Sequence, residues 1–142
     1  MPKQLATKWK VSVAGVDLSD HAFDVAIADA KDRVDVSGFS ASGTREYLPG
    51  LRDQTVTVQF LQDRDAGKVH QTIFPLYQSG SAFAFYVQPL SDAGTSASNP
   101  LYGGSACIFS YPSQATLNER EEASFEFSPS PNSKFEWGTT AP

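Results

Sequence analysis

The sequence is dominated by short stretches in which apolar and polar residues alternate with a period of two. This pattern is typical of β-strands that cover a core with one face and meet water with the other. The alternation is cleanest near the C-terminus, where Ala123, Phe125 and Phe127 alternate with Glu122 and Glu126. It predicts further strands at residues 9–13, 23–27, 34–37, 55–60, 81–88 and 101–111. A chain with this pattern is expected to fold around six to eight strands.

Three strand candidates carry more specific expectations. Phe23, Val25 and Ile27 should form one apolar row. The 101–111 stretch is apolar on both faces from Ala106 to Phe109, which favours a central strand. The tail from Pro129 onward follows no pattern and is expected to end loosely, although its aromatic residues need a surface to pack on. Those aromatic residues are Phe135 and Trp137.

One helix is predicted at about residues 64–76, because apolar residues recur there at helical spacing. Ala66, Val69, Ile73 and Phe74 stand at positions i, i+3, i+7 and i+8. Asp63 or Asp65 is expected to cap the start of this helix, and Gly80 to close the segment. Before it, the alternation lapses between residues 38 and 50, where glycine, serine and proline predict a long loop.

Strands that follow one another without intervening helices favour an antiparallel β-sandwich or barrel. The 142 residues fit one globular domain, and no internal repeat or linker divides them. The predicted fold class is therefore mainly β with one flanking α-helix, in a single domain that spans residues 1–142.

Charge and composition exclude several classes of function. The net charge of −5 argues against a nucleic-acid-binding surface, which usually needs clustered lysine and arginine. The single cysteine, Cys107, permits neither an internal disulfide nor a cysteine-based zinc site. No signal peptide is visible, and no stretch approaches the roughly 20 apolar residues that cross a membrane. We expect a soluble protein that is made in a reducing cytoplasm.

No residue pattern indicates catalysis, a cofactor or a metal. His70 falls on the apolar side of the predicted helix, where a satisfied, partly buried histidine is expected, and His21 is expected to be a solvated loop residue. Asp63 and Asp65 faintly suggest a calcium loop, but Phe74 stands where that loop needs its bidentate glutamate. Three aspartates at residues 29, 32 and 35 alternate with basic residues and indicate a mixed-charge surface.

Four segments carry a likeness to a known family. They are Val13–Asp20, Val34–Phe39, Tyr47–Asp53 running into Val56–Asp63, and Asn99–Gly104 followed by Ser110–Pro112. In this order and spacing, they resemble the tail tube (major tail) proteins of long, non-contractile bacteriophage tails of the siphophage type. The likeness covers most of residues 11–127.

This resemblance implies a β-sandwich or half-barrel flanked by one helix. It implies copies that join into hexameric rings, whose inner sheets merge into one barrel, and rings that stack into the tube through which DNA leaves the virion. Partners would be further copies of the chain and the tape measure, terminator and distal tail proteins, with DNA passing through unbound. The location would be the virion tail, assembled in the host cytoplasm, and neither an enzyme activity nor a membrane is implied.

Two groups of residues are candidates for this function. Glu122 and Glu126 share one face of the last predicted strand and could line the channel, together with Thr55 and Thr57, although a solvated outer face explains them equally. The long loop could set the register between rings through charges that also suit a plain surface loop. Those residues are Arg45, Glu46, Arg52 and Asp53. Residues 1–8, as an N-terminal arm, and the tail 129–142 are further candidates for subunit contacts.

Two rival functions stay open. One is a tail terminator or adaptor, which would form a single ring rather than a polymer. The other is a monomeric β-sandwich that binds carbohydrate. Such a module needs an exposed aromatic platform on a rigid sheet, whereas Trp137 lies in the tail and Trp9 on an apolar row.

Overall fold

A computed structural model describes residues 9–39, 43–89, 94–112 and 114–139. Eight strands and one helix lie within these ranges. In chain order they are β1 Lys10–Val13, β2 Val16–Asp17, β3 Ala22–Asp35, β4 Tyr47–Leu61, α1 Val69–Ser79, β5 Phe83–Gln88, β6 Leu101–Ile108, β7 Glu122–Pro129 and β8 Glu136–Gly138.

The strands form one antiparallel sheet in the order β2-β1-β5-β6-β7-β4-β3, and β8 also pairs with β6. β1 and β4 are separated by three strands in this order, yet their apolar residues belong to the same buried cluster. The sheet must therefore curve back on itself around a single core. The predicted fold class, mainly antiparallel β with one flanking helix, is confirmed.

The core consists of the apolar rows that the alternation predicts. The buried side chains of four strands meet there, and Phe85 stacks on Phe127 with ring centroids 4.1 Å apart. These rows are Val11 and Val13, Val56 to Phe60, Phe83 to Val87, and Ala123 to Phe127, each at every second position. β6 lies between β5 and β7, so its predicted central position is confirmed.

Phe23 is the exception in these rows. The register between β3 and β4 shifts between Ala22 and Asp24, so Phe23 occupies a β-bulge. The bulge moves Phe23 out of the row of Val25 and Ile27, and its ring is exposed beneath the guanidinium of Arg120. The prediction that it belongs to the apolar row is wrong, because alternation cannot show an inserted residue.

The prediction of a loop over residues 38–50 is wrong in part. β3 continues without a break to Asp35, and β4 begins at Tyr47, with register pairs as far as Asp35 and Tyr47. Beyond the pair formed by Ala30 and Asp53, both strands have both faces in solvent, so no alternation marks them. We call residues 30–53 the hairpin extension; its described strands reach about 20 Å beyond the body of the sheet.

The helix begins later than predicted. Gly67 has a φ of +74°, which a helix cannot contain, and α1 starts at Val69 instead of about residue 64. The N-cap is Lys68, whose side chain makes no capping hydrogen bond among the described residues. The backbone carbonyl of Asp63 accepts the His70 N–H (2.9 Å), while its carboxylate binds the Asp65 N–H and His21, so the predicted side-chain cap is wrong. Val69 and Ile73 are buried against the core, and the predicted end at Gly80 is confirmed.

The C-terminal segment is part of the domain rather than a loose tail. β8 pairs with residues 101–103 of β6, and the Phe135 ring is fully buried against Phe85 and Tyr102. Gly104 allows this approach, because a Cβ atom there would lie 2.9 Å from the carbonyl oxygen of Lys134. The expectation of a loose end is therefore wrong over the described residues up to 139.

Candidate functional site

The four candidate channel residues lie on the same side of the sheet, opposite the core. Thr57 is paired directly with Glu126, Thr55 with Ala28, and Leu61 with Glu122. Directly paired residues of antiparallel strands point to the same face. We call this surface the polar face. Its members on β4 and β7 include Thr55, Thr57, Gln59, Glu122, Ser124 and Glu126.

The polar face carries acidic charge. Asp24 and Asp53 join Glu122 and Glu126 there, and the described positions of this face on β3, β4 and β7, up to the pair of Ala30 and Asp53, include no lysine or arginine. The nearby cation is Arg120, whose Nε donates a hydrogen bond of 2.7 Å to Glu122. Glu122 is therefore partly neutralised. Glu126, which is exposed, contributes more to a negative potential at this surface.

The two ends of the sheet differ. At the β1 end, the backbone N–H of Val11 donates to Ser19 Oγ (2.9 Å), and its carbonyl accepts from the N–H of Leu18 (2.9 Å). The outer edge of β1 is thus occupied by the segment that follows it, and the sheet ends there in β2, which is two residues long. At the other end, no described strand pairs with the outer edge of β3, which is 14 residues long. An exposed edge of this length is a template for pairing with another chain.

The hairpin extension exposes apolar side chains. Val34 and Leu48 form a direct cross-strand pair with both side chains largely in solvent, and Leu51 is 82% exposed. Val36, Phe39 and Tyr47 are also exposed, and the guanidinium of Arg33 lies 3.8 Å from the centre of the Tyr47 ring. Clustered exposed apolar residues mark interaction surfaces more often than isolated ones do.

The four candidate contact residues are not brought together. Arg45 and Glu46 lie at the far end of the hairpin extension, where Arg45 pairs with Asp35 (3.2 Å) and the Glu46 N–H donates to Ser37 Oγ (2.6 Å). Arg52 and Asp53 lie at its base, where Asp53 pairs with Ala30 across the strands. Arg45 and Arg52 both form ion pairs within the chain, as expected if this region is a plain surface loop whose charges pair with one another.

Arg52 belongs to a network that sequence reasoning missed. Its Nε and Nη2 donate to the two carboxylate oxygens of Asp29 (2.9 and 2.7 Å), and its Nη1 lies 3.3 Å from Glu136 Oε1. Tyr102 Oη also donates to Asp29 (3.1 Å). The hydrogen bonds from Arg52 hold the pKa of Asp29 well below its usual range, and burial, together with Asp29, raises the pKa of Tyr102 to about 12.

The hub of this network is Gln54, a buried residue of β4. Its Nε2 donates to the carbonyl of Phe135 (2.7 Å), and its Oε1 accepts from the Phe135 N–H (2.9 Å). Nε2 also lies within hydrogen-bond distance of Asp29 Oδ2 (3.1 Å) and Tyr102 Oη (3.2 Å). The available signal was a glutamine at a core-facing position of the Val56–Phe60 row, because a buried polar side chain requires partners.

The histidines are structural. His70 Nδ1 lies 2.6 Å from Tyr111 Oη and its ring stacks on Phe74, which confirms the expected satisfied, partly buried histidine. His21 is not the solvated loop residue that was expected, because its Nε2 lies 2.9 Å from Asp63 Oδ2 and it is half-buried. Hydrogen bonds, first from the Asp65 N–H and then from His21, lower the pKa of Asp63.

The described residues contain no group of three or more histidine, cysteine, aspartate or glutamate side chains that could hold a metal ion. Asp29 and Asp35 are instead paired with arginines. No helix in these ranges is long and apolar enough to cross a membrane.

Comparison with known proteins gives structural but not sequence matches. No family model matches the chain, and no curated protein sequence does. A chain from the virion of a native gene transfer agent (GTA) particle is similar with a TM-score of 0.73 and 17% identity, covering 98% of this chain and 100% of that one. The tail of an empty GTA particle, with C6 symmetry, gives 0.65 and 17%, covering 85% and 83%.

The tail tube of SPP1 is also similar, with a TM-score of 0.68 and 15% identity over 95% of this chain and 77% of that chain. At such identities the similarity establishes the fold. It agrees with the resemblance that was seen in the sequence. The chain therefore has the fold of phage tail tube proteins.

Proposed function

We propose that this chain is a structural virion protein, without catalytic activity, that polymerises as stacked hexameric rings. The rings form the tube of a phage tail, and the tube is the channel for DNA ejection. The solved structures that share the fold support this proposal, since one is a tail tube and another is a tail with C6 symmetry.

The observation that carries the proposal is that the two end strands of the sheet leave edges of very different length. One end finishes in the two-residue β2, beside the β1 edge that Leu18 and Ser19 occupy, while the 14-residue edge of β3 is open within the described chain. When the β3 edge of one copy binds a different surface of the next copy, the contact is head-to-tail, and such contacts produce rings when the rotation closes. Ring closure would remove the open edge.

The polar face is assigned to the channel. It is rich in hydroxyl and carboxylate groups, and its described positions on β3, β4 and β7 lack lysine and arginine up to the pair of Ala30 and Asp53. DNA phosphates are repelled by such a surface, and few counterions would be released on contact. A channel of this kind lets DNA pass without holding it.

The hairpin extension is assigned to contacts between rings. Its exposed apolar side chains, Val34, Leu48 and Leu51 among them, would be covered by a second copy. Arg45, Glu46, Arg52 and Asp53 stay candidates for setting the register at this contact. The terminal segments 1–8 and 129–142, of which residues 1–8 and 140–142 lie outside the described residues, are assigned to further subunit contacts. The tape measure, terminator and distal tail proteins are assigned to the ends of the tube. Assembly would take place in the host cytoplasm.

The test is negative-stain electron microscopy of the purified full-length chain over a range of concentrations. We expect tubes of stacked rings that lengthen as the concentration rises. Single rings that never stack would indicate a terminator or adaptor instead. A particle that stays monomeric at high concentration, with tail initiator components supplied, would overturn the proposal and favour a binding module.

A further inference from the structure

The C-terminal segment fills a gap in the sheet. β7 lies between β4 and β6, but its register pairs with β4 stop at Val56 and those with β6 at Ala106. Beyond the end of β7, β8 takes the place of β7 beside β6 and pairs with residues 101–103 of that strand. On its other side lies β4, and no backbone register pair joins β8 to β4 in the described chain. Side chains make that connection instead.

Gln54 replaces the missing strand pairing. Its amide group forms both a donor and an acceptor hydrogen bond with the backbone of Phe135, which is the pair of bonds that a neighbouring strand would supply. These contacts are buried, where losing one partner costs more than at the surface. Phe135, the residue so held, is fully buried and anchors the segment.

The same groups form the base of the hairpin extension. Gln54 and Asp29 are register partners in β4 and β3, one pair before the extension begins. Arg52 joins Asp29 to Glu136, and Tyr102 of β6 donates to Asp29. The carboxylate of Asp29 therefore receives hydrogen bonds from β4 and β6, while the Arg52 that it binds reaches β8.

We propose that residues 135–138, which we call the strap, fix the direction of the hairpin extension relative to the body of the domain. When Phe135 is seated, Gln54 and Arg52 are held in place, and through them Asp29. The extension reaches about 20 Å beyond this point, so a small rotation at the base is a large displacement at its end. The consequence for assembly rests on the proposed function: a seated strap presents the extension to the next copy in one orientation.

Hydrogen exchange of the full-length chain, at a concentration where it is monomeric, tests the coupling. Phe135→Ala unseats the strap without altering a side chain of the extension. We expect amides in residues 30–35 and 47–53 to exchange about tenfold faster, since local opening follows the loss of contacts that hold a segment. Phe135→Leu, which still fills the cavity, should restore rates to within about twofold of wild type.

Phe83→Ala is the matched control, because it deletes the same ring from a buried position of β5 where the ring packs on Phe127 of β7. It should leave exchange in the extension within about twofold of wild type. Faster exchange in residues 130–138 with unchanged exchange in the extension would overturn the proposal. So would an equal response to both alanine variants, which would indicate general loss of stability.

A milder variant keeps the test decisive if Phe135→Ala does not fold. Trp137→Ala removes a half-exposed ring that packs on Tyr102, and we expect about threefold faster exchange in the extension. For assembly, Phe135→Ala should raise the concentration needed for tube growth about tenfold, as a loosened extension must be ordered on binding. Unchanged tube growth would refute the role in assembly. Failure of the wild type to polymerise would contradict the proposed function alone, because exchange is measured on the monomer.

Discussion

Gly103 of β6 is paired with Tyr86 of β5, and its lack of a side chain is a steric requirement. A Cβ atom at this position would lie 1.9 Å from the carbonyl oxygen of Phe85, and its φ is +157°. Neither strand can move away, because Phe85 is packed between Phe127 and Phe135. The backbone of the neighbouring strand therefore requires a glycine at position 103.

We therefore expect Gly103→Ala to lower the free energy of unfolding by roughly 3 kcal/mol or to prevent folding. Urea denaturation measures the change. Gly38→Ala is the control, since a Cβ atom there meets nothing within 4 Å, and it should change stability by less than about 0.5 kcal/mol. An alanine at residue 103 that is tolerated as well as one at residue 38 would refute the steric argument.

Asp29 predicts a dependence of stability on pH. Hydrogen bonds from Arg52 hold its folded-state pKa below the unfolded value of about 3.9. A depressed pKa contributes stability that is fully present above the unfolded pKa and is lost as the pH falls through the folded pKa. Asp29→Asn should lower stability at pH 7 by about 1 kcal/mol and should flatten the decline below pH ~4.

Urea denaturation at several pH values between neutral and strongly acidic measures this difference. Asp35 and Asp63, whose pKa values are also lowered, are present in both proteins and cancel in the comparison. Asp53→Asn makes the same change on the opposite face of β4 and should alter stability by less than about 0.5 kcal/mol. Parallel curves for wild type and Asp29→Asn would show that Asp29 does not contribute.

At the scale of elements, the sequence predicts those strands that have one buried face. The rows that include Val56 to Phe60 and Ala123 to Phe127 are readable because burial imposes a period of two. The hairpin extension has solvent on both faces, so its strands leave no such period. β8 is three residues long, and its register with β6 depends on a contact between residues more than 30 positions apart. Such pairing is not encoded locally.

The candidate site shows the same division. Alternation alone places Glu122 with Glu126, and Thr55 with Thr57, on shared faces, but only the register between β4 and β7 unites the two pairs on one surface. The charges of the long loop were recognised, while their partners were not, because Arg52 meets Glu136 across 84 positions of sequence. The helix starts later than predicted because Gly67 has a positive φ, and the spacing of apolar residues does not reveal a single backbone angle.

The hairpin extension itself makes a testable element. Leu51 is 82% exposed, so Leu51→Ser should change the stability of the monomer by less than about 0.5 kcal/mol. If a second copy covers this side chain, its loss should remove about 1.5 kcal/mol of contact and raise the critical concentration for tube growth roughly tenfold. Sedimentation of tubes over a concentration series measures that threshold.

Leu117→Ser is the matched control for Leu51→Ser. Leu117 is equally exposed, at 89%, but lies in the loop between β6 and β7. It should leave the threshold within about twofold of wild type, as isolated surface leucines contribute little. Equal thresholds for the two variants would remove the hairpin extension from the proposed contact between rings.

At the scale of the whole molecule, the curved sheet separates three surfaces. Its inner side holds the core, its open edge is β3, and the polar face points away from both the core and the strap. In a ring that closes through the β3 edge, neighbouring copies would continue the sheet, and the polar faces would join into one continuous surface. Whether that surface lines a channel can be decided by its charge.

Glu126 lies on the polar face, where it is paired with Thr57 of β4. Glu126→Lys reverses its charge, and the change would be repeated in every copy of a tube. Wild-type tubes should not retain short duplex DNA, whereas lysine tubes should retain it at low salt and release it as the salt concentration rises. Cosedimentation measures retention, and protection from nuclease distinguishes DNA inside the tube from DNA on its outside. Asp65→Lys makes the same charge change on an exposed residue before α1, outside the sheet. DNA that is retained by both variants and digested in both would place the polar face on the exterior of the tube, because an enclosed surface must shield what it binds.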